Sequence, residues 1–207
     1  ERVALLRRAA RLIEERVYAI SAAVAVEVGK NRMEAIGEVQ ETADLIDWYA
    51  DRMEEADGFD RPLADDPLPN FKSHNRSVLR PYGVWAVIAP FNFPFALAGG
   101  PLGPALIAGN TAVVKCSPET SLSGWLLLEC LRDAGLPPGV INFVSGGDTT
   151  GRALAQHPDV AGITFTGSHA VGMQVLRASA AGRYPKPCIT EMGGKNACVV
   201  TANADLE

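Results

Sequence analysis

Side chains able to do chemistry gather in a few short runs. The most suggestive is Ile189-Thr190-Glu191-Met192-Gly193-Gly194-Lys195-Asn196. A short apolar segment ends in a carboxylate and two glycines follow, an arrangement that aims a general base at a substrate. The same residues also read as a turn with an exposed acid. In Ala89-Pro90-Phe91-Asn92-Phe93-Pro94-Phe95 an amide sits among aromatics, held between two prolines. Its N–H can stabilise a developing oxyanion, or Asn92 can cap the following helix; the local sequence favours neither. Lys115 ends the run Thr-Ala-Val-Val-Lys and precedes Cys116-Ser117-Pro118-Glu119. A lysine there either hydrogen-bonds a ribose or phosphate or snorkels to the surface.

Phe165-Thr166-Gly167-Ser168-His169-Ala170-Val171-Gly172 opens a helix. Free amides and the helix dipole hold phosphate at such a place, although Ser168 alone makes an ordinary cap. The run is not the dinucleotide fingerprint G-x-G-x-x-G, because His169 stands at its second glycine, and no P-loop is present. His169 is read as exposed and outside the chemistry. Cys116, Cys130, Cys188 and Cys198 each lie in an apolar run without a C-x-x-C pair. They read as small, reduced, buried hydrophobes, with a reactive nucleophile the lesser reading. The three histidines are scattered and suggest no metal site.

The elements that must position these residues change character near Pro81. Before it, Val3, Leu6, Ala10, Ile13, Val17, Ile20, Val24 and Val28 repeat at helical period, so residues 1–29 read as one amphipathic helix ended by Gly29. A second helix is expected over 32–55. A proline-rich connector follows, and then a polar, strand-like stretch over 71–79 that suits an exposed oligomerisation ribbon. After Pro81, apolar runs at 83–89, 111–115, 140–144, 161–166 and 188–190 alternate with helical segments at 95–108, 121–134, 149–156 and 170–181. That alternation specifies an α/β fold with a doubly wound parallel sheet, preceded by two long helices. The candidate residues fall at the strand ends, where ligands collect in such sheets.

The division expected is N-terminal helices over 1–58, connector and ribbon over 59–80, a Rossmann-like domain over 81–190, and the first residues of a further domain over 191–207. Residues 203–207 read as a helix start, and the chain reads as a piece of a longer one. With 19 basic and 24 acidic side chains, net −5, the composition suggests neither nucleic-acid nor membrane-surface binding. The longest apolar stretch is broken by Gly, Pro and Asn, and no signal peptide is visible, so the location expected is cytoplasmic.

Together the runs at 90–94, 109–115, 135–142, 165–172 and 191–196 resemble, in order, the motifs of the aldehyde dehydrogenase superfamily. Glu27-Val28-Gly29-Lys30 fits as well. Within it, Asp44-Leu45-Ile46-Asp47-Trp48-Tyr49-Ala50 and Gly193-Gly194-Lys195-Asn196-Ala197 look most like 1-pyrroline-5-carboxylate (glutamate-semialdehyde) dehydrogenases, whether stand-alone or fused in a bifunctional proline-degrading enzyme.

The resemblance implies oxidation of an aldehyde to an acid through a cysteine thioester, with NAD or NADP as cofactor and a homo-oligomeric assembly. It implies that Asn92 holds the oxyanion and that Glu191 activates the hydrolytic water. Lys115 would meet the adenosine ribose, Gly167, Ser168 and Gly172 the pyrophosphate loop, and Phe91 the cofactor's flank. Two departures stand out. The family nucleophile lies beyond the Glu motif and outside this chain. Pro118 occupies the place where NAD-preferring members often carry Glu. The rival readings are a catalytically incomplete relative that binds nucleotide or acts as an oligomeric scaffold, another semialdehyde dehydrogenase, and an unrelated doubly wound nucleotide-binding domain.

Overall fold

The computed structural model describes residues 1–205. The first helical segment is divided into α1 (Arg2–Glu15) and α2 (Val17–Val28), correcting the expectation of one helix. The break is at Arg16, with φ −101° and ψ 8°. Its guanidinium reaches the Asp133 carboxylate at 2.8 Å. No Gly or Pro marks the break, so the apolar period runs through it unchanged. α2 ends at Gly29 in the left-handed region, φ 77°, as a C-cap glycine requires. α3 (Arg32–Glu55) starts at Asn31, whose side chain accepts the Glu34 amide at 3.0 Å.

Next come two short antiparallel strands, β1 (Asp60–Pro62) and β2 (Arg76–Val78). They form an exposed ribbon, smaller than the strand expected over 71–79. Ahead of β2, Ser73 and Asn75 bond the backbone of Asp66 and Ala64 with their side chains. Such local bonds compete with a strand ladder.

The remaining elements are β3 (Val84–Ile88), α4 (Ala96–Ile107), β4 (Thr111–Lys115), α5 (Ser121–Asp133), β5 (Ile141–Val144), α6 (Asp148–Gln156), β6 (Val160–Gly167), α7 (His169–Ala180) and β7 (Cys188–Met192). The sheet runs β5-β4-β3-β6-β7 with every pair parallel. The chain winds outward from β3 in one direction, then returns to its other side as β6. The switch point, where such sheets bind ligands, therefore lies between the carboxyl ends of β3 and β6.

Alternation along β3 divides the core. Val87 and Ala89 join the cluster under α1–α5, which includes Leu6, Ile46, Phe95 and Leu127. Ala86 and Ile88 face the opposite layer, with Ile163, Phe165 and Val175. The helix α4 (ALAGGPLGPALI) contradicts helix propensity, with three glycines and two internal prolines. Packing explains Gly99: a Cβ there would stand 2.3 Å from Thr42 Cγ2 of α3. The two helices meet too closely for a side chain.

β7 continues to Met192, so Glu191 and Met192 belong to the sheet and the expected boundary at 190/191 falls inside a strand. Gly193, at φ 65°, then turns the chain off the ladder. The apolar run at 197–200 consequently finds no strand partner among the described residues. Cys198 is exposed, against the expectation that all four cysteines are buried. At 203 there is only a turn, and Leu206 and Glu207, also in the expected helix start, lie outside the described residues.

The α3–α4 contact can be tested directly. Gly99→Ala should destabilise the protein by about 1–3 kcal/mol, the usual range for overpacking. Thr42→Ser removes the opposing methyl, keeps the hydroxyl that bonds the Glu38 carbonyl, and should recover most of that loss in the double variant. Urea unfolding of the four proteins measures the coupling, and strict additivity would show that the methyl is not the obstacle.

Candidate functional site

A single cleft of about 1300 Å³ opens at the carboxyl ends of β3, β4, β6 and β7. It is lined by Phe91 and Asn92 after β3, Lys115 and Ser117 after β4, Gly167 and Ser168 after β6, and Glu191, Gly193 and Gly194 from β7 onward. Register places Thr166 opposite Glu191 and Gly167 opposite Met192, so the acid and the helix-opening loop are neighbours across one strand pair. Six of the seven candidate side chains or glycines thus share one cleft. The seventh, Gly172, does not line it. Gly172 is buried inside α7, where a Cβ would stand 2.0 Å from Met192 Sδ. It lets α7 lie against β7, a packing role in place of the expected ligand contact.

Each residue is held by its element. Ser168 is the N-cap of α7, its hydroxyl accepting the Val171 amide at 3.3 Å. The first amides of that helix have no intrahelical partner and point to the cleft end. Both readings of the loop, cap and anion site, are therefore compatible in the same residues. His169 is exposed, as expected.

Lys115 is only 7% exposed, so it is not a snorkelling surface lysine. No described residue accepts a hydrogen bond from its ammonium, and burial lowers its pKa from the ordinary lysine range. A buried cation at a strand end, open to a cleft, is complementary to an oxygen-rich ligand. Glu119 does not line the cleft. It is exposed, accepts a hydrogen bond from Ser117 Oγ, and that bond lowers its pKa.

Asn92 does not cap α4. The amides of Phe95 and Ala96 are taken instead by Glu38 Oε1 of α3, at 2.8 and 3.2 Å. Asn92 is exposed in the cleft and free for another partner. Glu38 was missed from sequence because α3 reads as one amphipathic helix and its acids as a solvated face, yet this one is buried at 2% exposure. Lys30 Nζ lies 2.5 Å from Glu38 Oε2 and 3.2 Å from the centroid of the Phe93 ring. Glu27 makes the parallel connection to α5, accepting the Leu122 and Ser123 amides at 2.9 and 2.8 Å. The cleft also carries Arg152 on α6 and Arg177 on α7, which no sequence motif marked.

No cysteine lines the cleft among the described residues. Cys116 and Cys130 are buried, as expected, and Cys188 is half-buried. Burial pushes the Cys116 thiol up to about 11, and Cys130 and Cys188 shift upward for the same reason. These are poor nucleophiles. At neutral pH Cys116 is therefore held overwhelmingly as the thiol. Maleimide labelling followed by peptide mapping should leave Cys116 and Cys130 unmodified in native protein and modify both once urea unfolds it. Rapid native labelling at either site would refute the burial described here.

The Aldehyde dehydrogenase family profile matches residues 1–207. The chain is 40% identical over 213 residues to 1-pyrroline-5-carboxylate dehydrogenase of Staphylococcus epidermidis, covering 100% of the chain and 40% of that protein. A proline utilization A structure from Bradyrhizobium japonicum superposes with TM-score 0.86 at 36% identity, covering 93% of this chain and 20% of that one. NADP-dependent glyceraldehyde-3-phosphate dehydrogenase from Bacillus halodurans, solved with NADP, gives TM-score 0.85 at 38% identity, covering 95% and 40%. The chain thus spans about two-fifths of the length of the curated relatives it matches.

Proposed function

The chain belongs to the aldehyde dehydrogenase family, and on that premise we propose that it forms the cofactor-binding part of an NAD- or NADP-dependent enzyme that oxidises an aldehyde to a carboxylic acid. The observation that carries this reading is that Asn92 and Glu191, from strands on either side of the switch point, open onto the cleft that Lys115, Gly167 and Ser168 also line. A doubly wound domain of unrelated function has no reason to bring an amide and an acid together there.

The cleft's residues suit a dinucleotide. Lys115 offers a desolvated cation to the ribose end. The first turn of α7, with Gly167 and Ser168 before it, offers amide donors to phosphates. Phe91 offers an aromatic wall. The bound nicotinamide would accept the hydride. The protein's own residues then divide the remaining work. The Asn92 amide donates a hydrogen bond to the oxyanion formed when a thiolate adds to the aldehyde carbon. Glu191 removes a proton from water as that water attacks the resulting thioester. Hydrolysis releases the acid and returns the thiol. We place that thiolate in sequence outside these 207 residues, because no described cysteine lines the cleft.

Likeness to 1-pyrroline-5-carboxylate dehydrogenases and to proline utilization A supports glutamate semialdehyde as the substrate and glutamate as the product, a step of proline breakdown. The exposed β1–β2 ribbon is proposed as an assembly surface. Sedimentation of the full-length protein with and without residues 63–75 tests it, and an unchanged oligomer would remove the proposal.

Two experiments on the full-length protein test the mechanism. Glu191→Gln should retain a burst of reduced cofactor while steady-state turnover falls by about 10²–10⁴-fold, the usual loss of a general base. Loss of the burst along with turnover would assign Glu191 to another step. Lys115→Met should weaken cofactor binding about tenfold to a hundredfold, as expected for a lost charged hydrogen bond. In wild type, cofactor affinity should fall as pH rises through the lowered Lys115 pKa, because the neutral amine is the poorer partner. That fall begins below the ordinary lysine range and should vanish in Lys115→Met. Titration with each of NAD and NADP, followed by fluorescence, gives the affinities, and a panel of aldehydes gives the substrate.

A further inference from the structure

We propose that the Lys30–Glu38 ion pair is a positioning device for Asn92, so that helices which do not line the cleft set the geometry of its oxyanion donor. The inference rests on the reading of Asn92 given above.

Asn92 makes no hydrogen bond with any described residue, so its own contacts do not fix it. Its neighbours do. The Lys30 ammonium lies 3.2 Å from the centroid of the next residue's ring, Phe93. Phe95 is fully buried. The Phe95 and Ala96 amides both end on Glu38 Oε1, and Glu38 Oε2 holds the same ammonium at 2.5 Å. Anchors one, three and four residues beyond Asn92 thus converge on one carboxylate and its counter-ion. On the near side, the Ala89 amide donates to the Lys115 carbonyl at 3.0 Å. The loop is fixed at both ends, and Phe91 and Asn92 project from between.

Helix capping alone does not explain this arrangement. An N-cap side chain is normally supplied by the residue that starts the helix, whereas Glu38 reaches α4 from 57 positions away. Nor is a buried ion pair the cheapest way to hold two helices together, since apolar pairs of similar volume serve at least as well. What the pair adds is direction. The two amide bonds are directional, the ammonium holds the carboxylate that accepts them and lies over one face of the Phe93 ring, and that geometry passes to the residue beside them. A donor displaced by about 1 Å loses up to about a hundredfold in rate.

The test is a double-mutant cycle in the full-length enzyme, with Lys30→Met, Asn92→Ala and the pair. The readouts are the single-turnover rate of cofactor reduction, the cofactor Kd and the thermal midpoint. Asn92→Ala should slow the single turnover about a hundredfold or more. Lys30→Met should slow it about tenfold, with cofactor Kd unchanged. In the Asn92→Ala background, Lys30→Met should add less than about twofold, because the displaced donor is already gone. If the two effects multiply, Lys30 does not act through Asn92 and the positioning role is overturned. If Asn92→Ala alone leaves the rate unchanged, the oxyanion role itself fails, an outcome distinct from the first. Should Lys30→Met not fold, Phe93→Leu removes the ammonium–ring contact while leaving the ion pair, and the same non-additivity is expected.

Discussion

Two carboxylates from the N-terminal helices end on the free amides of two helices in the sheet layer. Glu38 of α3 holds the start of α4, and Glu27 of α2 holds the start of α5. The helix dipole makes each of these ends electropositive, so an acid there is stabilised by charge as well as by hydrogen bonds. α4 follows β3 and α5 follows β4, so the two fixed helix starts are also the far ends of the Asn92 and Lys115 loops. The position of the cleft's walls therefore depends on contacts made behind them, in the core under the sheet. Remove the N-terminal helices and α4 loses its cap, its closest neighbour at Gly99 and the counter-ion beside Phe93 together.

The sheet was legible in the sequence because its signals are local. Each parallel strand is a short apolar run, each helix is periodic, and turn residues separate them. The strand ends were legible for the same reason, since Lys115, Gly167 and Glu191 close runs that read as strands. The break at Arg16 was not legible. The residue at the break reaches Asp133, more than a hundred positions away, and nothing in the local sequence records that contact. The ribbon was over-read because side chains of Ser73 and Asn75 take backbone partners that a strand would need.

Glu38 illustrates a different limit. Its neighbours on α3 are Glu34, Glu41 and Asp44, all exposed, and charge pattern alone assigns it to the same solvated face. Burial distinguishes it, and burial is decided by where the N-terminus of α4 arrives. Asn92 is the converse case. Local sequence left it balanced between cap and oxyanion donor, and the structure removes the first of these: Glu38 satisfies both amides, so Asn92 has no capping task at that helix. Gly172 moved in the opposite direction, from ligand loop to helix–strand packing, because Met192 occupies the space a side chain would need.

Lys115 and Glu38 show how the site differs from the core around it. Both are charged and buried, but Glu38 is fully partnered by two amides and an ammonium, whereas Lys115 faces the cleft without a hydrogen-bonded acceptor. The sign of the Lys115 shift follows from that difference. Its protonated form is disfavoured on folding, so the unfolded chain binds the proton more tightly, and stability rises as pH climbs from the lowered pKa toward the ordinary one. Below that window the fold carries the desolvation of an unpaired cation, which a ligand oxygen would relieve. The partnered charge therefore serves to fix geometry, and the unpartnered one keeps an unmet demand for an anion or a hydroxyl at the mouth of the cleft. A fold selected for stability alone would have no use for the second, and this asymmetry between two buried charges is the physical argument for the binding site proposed at the strand ends.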